Sequence, residues 1–124
     1  MAGELHFWDA VARIREQDER YAPEAYAFVM DSLEFGIRRI GERRHVSGLE
    51  LLDHACAFAK EQLGVLAYAV LEKWGLCSTG DVGAVVFRLV DVGVLSALES
   101  DSESDFDEVF DLKERLEQSY FDLD

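Results

Sequence analysis

Apolar residues recur every three or four positions along most of this chain, the spacing of helices that bury one face. Phe7, Val11 and Ile14 follow an i, i+4, i+7 pattern with Trp8 beside them, predicting a first helix over about Leu5 to Gln17. Asp18-Glu19-Arg20-Tyr21 breaks it. Pro23 suits the first turn of a second helix, where a missing N–H costs nothing. Ala25, Phe28, Val29, Leu33, Ile37 and Ile40 carry its apolar stripe to Gly41, a natural stop. After a loop over 41–46, Ser47-Gly48-Leu49-Glu50 has capping-box spacing. A third helix is predicted from there to about Leu63, burying Leu51, Leu52, Ala55, Phe58 and Ala59. Gly64 marks a bend, and a fourth helix over Val65 to Trp74 sets Leu66, Val70 and Trp74 on one stripe.

Beyond Gly75 the pattern shortens. Ser78 or Thr79 caps a fifth helix with Asp81 in its first turn, and Val82, Val85, Val86, Leu89 and Val90 form its buried face before Gly93. Val94 to Leu98 reads as a short strand, Glu99 to Asp105 as a polar loop, and Phe106 to Leu112 alternates well enough for a returning strand. From Lys113 onward, Leu116, Tyr120 and Leu123 mark only a weak amphipathic turn or two. The expected fold is therefore mainly α, about five helices with a C-terminal β-hairpin. Its second half is winged-helix-like, with helices four and five around the Gly75–Ser78 turn and residues 94–112 as the wing. It is expected as a single domain over 1–124, with N-terminal helices over 1–63, the winged unit over 65–112 and an acidic tail over 113–124.

Charge alters what such a shape would do. The chain has 124 residues and a formal net charge of −14. Residues 1–45 hold 7 Lys/Arg against 9 Asp/Glu, and residues 46–124 hold 5 against 17. A DNA reader neutralises phosphates with Lys and Arg, and a wing made of acids repels them, so direct DNA reading is not expected. Nor is a membrane partner, since no apolar run is long enough to span a bilayer. The first residues lack a basic then apolar order, so a secretory signal is not expected and a cytoplasmic location is. In that compartment Cys56 and Cys77 are expected as two buried, reduced thiols.

Several segments together carry a family resemblance: F-W-D-A-V-A-R-I, R-Y-A-P-E-A-Y-A-F-V, R-H-V-S-G-L-E-L-L, V-L-E-K-W-G-L, V-F-R-L-V-D-V-G-V-L and D-F-D-E-V-F-D-L. From Phe7 to about Leu112 the chain resembles a bacterial family built around a domain of unknown function. The resemblance implies no catalytic residue, because that family has no assigned activity. Where its pattern reads D-F-G-E-I-V-F-N-L-V, this chain has Val82, Ala84 and Arg88 at the aromatic, acidic and Asn positions.

Two charged segments are the candidate sites. Arg38, Arg39, Arg43, Arg44 and His45 form the densest basic cluster, suited to a phosphate, an RNA backbone or an acidic partner. The same arginines could instead offset the helix dipole and pair with the chain's own acids. Glu99, Asp101, Glu103, Asp105, Asp107 and Glu108 belong to a run of seven acids in residues 99–111, with Phe106, Val109 and Phe110 interleaved. That run reads either as a solvated loop or as a face for a basic partner. His54 and Cys56, two apart on a helix, point in different directions and do not make a metal site. The aromatics Phe7, Trp8, Tyr21 and Tyr26 read as core, each phenol finding one hydrogen bond. No nucleophile elbow, P-loop or dinucleotide fingerprint is present, so no enzyme, cofactor or metal is expected. The expectation is a non-enzymatic interaction module docking a basic protein. The alternative is an RNA- or ribosome-associated factor using Arg38 to His45.

Overall fold

In the computed structural model, the backbone is described for residues 2–121 and side chains for residues 6–117. Helix α1 (Ala2–Gln17) sets Ala10, Val11 and Ile14 inward, and α2 (Pro23–Ile40) buries Ala25, Tyr26, Phe28, Val29 and Ser32. α3 (Gly48–Leu63) starts on a complete capping box. Glu50 N donates to Ser47 Oγ at 3.2 Å, and Ser47 N donates to Glu50 Oε1 at 2.9 Å. A 3-10 turn (Gly64–Leu66) precedes the short α4 (Ala67–Lys73), and α5 (Thr79–Asp91) starts on a second capping box, Ser78 with Asp81. A further 3-10 turn (Glu103–Phe106) and α6 (Leu112–Phe121) complete the chain. α2 lies along α3, α5 packs on α2 and the second 3-10 turn, and α6 lies against α3 and α4.

Among the described residues there is no strand, so the C-terminal hairpin and the winged-helix second half are overturned. Two local causes explain why. After α5 the chain closes a Schellman motif: Val94 N donates to Leu89 O at 2.9 Å and Gly93 N to Val90 O at 3.0 Å. Gly93 takes a left-handed φ of 83°, which wraps Val94 and Leu95 round the helix end. Leu95 N also bonds Leu89 O, so the segment has spent the donors a ladder would need.

The second strand fails because Phe106 has a better place to go. It is 3% exposed, seated where Gly48 of α3 and Gly83 of α5 present no side chain. A Cβ on Gly83 would lie 2.7 Å from Phe106 Cγ, and one on Gly48 3.0 Å from Phe106 Cε1. Buried Thr79 fastens the same point, donating to Phe106 O at 2.7 Å while accepting from Val109 N at 3.2 Å. Phe106, Val109 and Phe110 stand at i, i+3, i+4, a turn-like spacing as compatible with the sequence as alternation. The stretch after Lys113, expected as weak turns, belongs to α6, whose Leu112 and Leu116 are buried. The side chain of Tyr120 and all of Leu123 lie outside the described residues.

Several burial expectations change as well. Leu66 is 62% exposed, because the 3-10 turn rotates it off the stripe, and Trp74 is half-buried against Phe28. Trp8 is largely exposed. Cys56 is buried, and its thiol is pushed up by that burial, but Cys77 is exposed in the turn before α5. Tyr21 and Tyr26 are both in the core, yet only Tyr21 has a hydroxyl partner, Asp81 Oδ1 at 2.7 Å; the Tyr26 hydroxyl has none.

That Tyr21–Asp81 bond belongs to a network tying the α1–α2 turn to α5. Asp81 is 7% exposed and also accepts from Arg20 Nη2, Cys77 N and Ser78 N. Arg20 and Arg88 each lie over the Tyr21 ring, at 5.3 and 5.0 Å from its centroid. Arg88 in turn donates to Asp18 Oδ2 at 2.6 Å. Burial, the Asp81 hydrogen bond and its negative charge together push the Tyr21 phenol well above its usual value. The α5 cation is thus consumed inside the fold.

Candidate functional site

The two charged segments found in the sequence come together. Residues 43–48 and residues from 95–106 line one cavity of about 490 Å3 together with residues of α2, α3 and α5. Leu33 and Ile37 of α2, Leu51 of α3, and Val86, Phe87 and Val90 of α5 supply apolar walls. Arg43, Arg44, His45, Asp101 and Asp105 supply the charges. His45 Nε2 lies 3.3 Å from Asp101 Oδ2, a contact that becomes an ion pair when the imidazole is protonated.

The basic segment is largely turned on its own chain. Arg43 Nη2 pairs with Glu34 Oε1 at 3.1 Å. Arg44 Nη2 pairs with Glu50 Oε2 at 2.9 Å, and Arg44 Nη1 also donates to His45 O. The Arg44 hydrogen bond, with the Ser47 N–H, lowers the Glu50 carboxyl to about 2. Arg39 donates to His54 Nδ1 at 3.2 Å. His54 itself faces inward at 8% exposure. Arg38 is exposed and acts on Asp31, whose carboxyl is pushed up by burial and drawn back by that charge.

The acidic segment divides by role. Asp101 accepts from Leu98 N at 2.7 Å and Asp105 from Ser102 N at 3.0 Å, so these two shape the loop. Glu99, Glu103, Asp107 and Glu108 are exposed and, among the described residues, have no cationic partner within salt-bridge distance. The apolar residues interleaved with them face inward instead of outward. Phe106 is in the core, Val109 and Phe110 are half-buried, and the Arg115 guanidinium covers the Phe110 ring at 4.1 Å.

Sequence reasoning found both charged segments and missed the cavity between them. Its walls come from four stretches far apart in the chain, each of which reads simply as core. A larger hollow of about 860 Å3 lies between α1, α2 and the end of α5, beside Phe7, Trp8 and Met30. It borders neither charged segment. No group of three or more His, Cys, Asp or Glu among the described residues is arranged to hold a metal ion, and no described helix is long and apolar enough to cross a membrane. No family model, curated protein or solved structure matches the chain, so no relative brings a residue role to this site.

Proposed function

We propose that this protein is a non-enzymatic interaction module whose acidic face over residues 99–108 receives a basic protein partner. The observation that carries this reading is an imbalance in pairing. Among the described residues, Arg43, Arg44, Arg88, Arg115 and Arg20 are engaged with Glu34, Glu50, Asp18, Asp53 and Asp81, while Glu99, Glu103, Asp107 and Glu108 pair with none. Unpaired surface acids beside an apolar recess attract cationic partners at long range and leave contact area for short-range binding. The RNA reading draws less support, because Arg43 and Arg44 would have to give up carboxylate partners to meet phosphates.

The test is capture by the full-length chain at low ionic strength, with and without nuclease, against a variant carrying E99Q, E103Q, D107N and E108Q. A basic protein retained by the wild type, released by salt and lost in the variant is the expected result. Equal capture by both chains would remove the acidic face from the interface. Binding abolished by nuclease would favour RNA.

A further inference from the structure

Building on that reading, we infer that the cavity between α2, α3, α5 and the 95–106 segment seats the apolar side chains of a short, basic, amphipathic helix of the partner. Its volume of about 490 Å3 falls in the range of roughly 300–1,000 Å3 typical of ligand sites, enough for one or two large side chains. The walls at Leu51, Val86, Phe87 and Val90 offer apolar contact, whereas the rim is selective.

Charge on the rim decides the occupant. Arg43 and Arg44 already hold carboxylates. Asp105 accepts from Ser102 N and retains free acceptor positions, whereas Asp101 accepts from Leu98 N and also faces His45 Nε2 at 3.3 Å. Glu99 and Glu103 do not line the cavity, but they adjoin its lining residues along the chain and have no cationic partner among the described residues. A ligand with an apolar body and an anionic head would meet these acids unfavourably, whereas lysines or arginines flanking an apolar anchor would meet them favourably. No strand edge exists among the described residues to accept an added strand, and the apolar walls suit the anchors that an amphipathic helix presents along one face.

The experiment titrates the full chain with three probes: a lysine-rich amphipathic peptide bearing leucine and phenylalanine on one face, a scramble of equal charge, and laurate. Burying one large apolar side chain corresponds to about a tenfold or greater gain in affinity, so the amphipathic peptide should bind at least about tenfold more tightly than its scramble. It should also shift the methyl resonances of Val86, Val90 and Leu51. Ala97, exposed at the cavity lining, provides the plug: A97W should abolish that preference while leaving the scramble's weak binding intact. Should A97W misfold, the wild-type methyl shifts decide alone. Equal binding of peptide and scramble, or laurate alone shifting those methyls, overturns the cavity as a peptide site. If the acidic-face variant still loses its partner in that case, the proposed function stands without the cavity; if it does not, both fall.

Discussion

Phe106 is the residue on which the acidic segment hangs. It is the apolar member of a run otherwise made of Ser, Asp and Glu, and it sits where Gly48 and Gly83 leave room for a ring. Its edge meets Phe87, with ring centroids 6.3 Å apart at 78°. Truncating a buried aromatic removes its transfer energy and leaves a void, so Phe106→Ala should cost about 3–5 kcal/mol in urea unfolding. Unchanged stability would mean the ring contributes little to the core. The Ser47–Glu50 box was legible because both partners lie within one turn. Phe106 was not, since its environment depends on two glycines 35 residues apart (Gly48 and Gly83) and neither announces a notch in the sequence.

At the scale of elements, helices α2, α3 and α5 were readable from periodicity and caps, while everything after Gly93 was not. A polar-apolar alternation over seven residues fits a strand, but a strand also requires a neighbour, and the chain around it is helical. The capping box of α3 makes a pH prediction. Glu50 has its carboxyl lowered to about 2 from an ordinary 4.5 by the Arg44 hydrogen bond and the Ser47 N–H. A depressed carboxyl stabilises the fold fully above its unfolded value, and that contribution disappears as pH falls from about 4.5 towards 2. Glutamine at this position keeps a capping side chain but not the charge. The gap in melting temperature between wild type and Glu50→Gln should therefore be constant near neutrality and close over that acidic window. A gap that persists at the acidic end would assign the effect to the cap geometry and not to the ion pair.

For the molecule as a whole, the charge imbalance was visible in composition, but its arrangement was not. The basic cluster at 38–45 looks accessible in sequence, yet the fold brings Glu34 of α2, Glu50 of α3 and Asp101 of the loop after α5 to it. The fifth helix has likewise no cation to spare, since Arg88 is held between Tyr21 and Asp18. Winged-helix proteins need that helix free and positive; here it is a wall of the interior. Net charge of −14 on 124 residues should make association with a basic partner strongly salt-dependent. Its association rate should drop by about tenfold or more between low and physiological ionic strength, while dissociation changes little, as read by stopped-flow. A rate indifferent to salt would argue that the acids do not steer encounter.

The clasp formed by Thr79 with Phe106 and Val109 has a thermodynamic corollary. Because the strip of carboxylates leaving that clasp is already held in shape, a partner meeting it need not first freeze a wandering loop. Much of the entropic toll of recognition is thus settled during folding. Complex formation should consequently resemble the docking of two firm bodies, with little further ordering of the acidic loop.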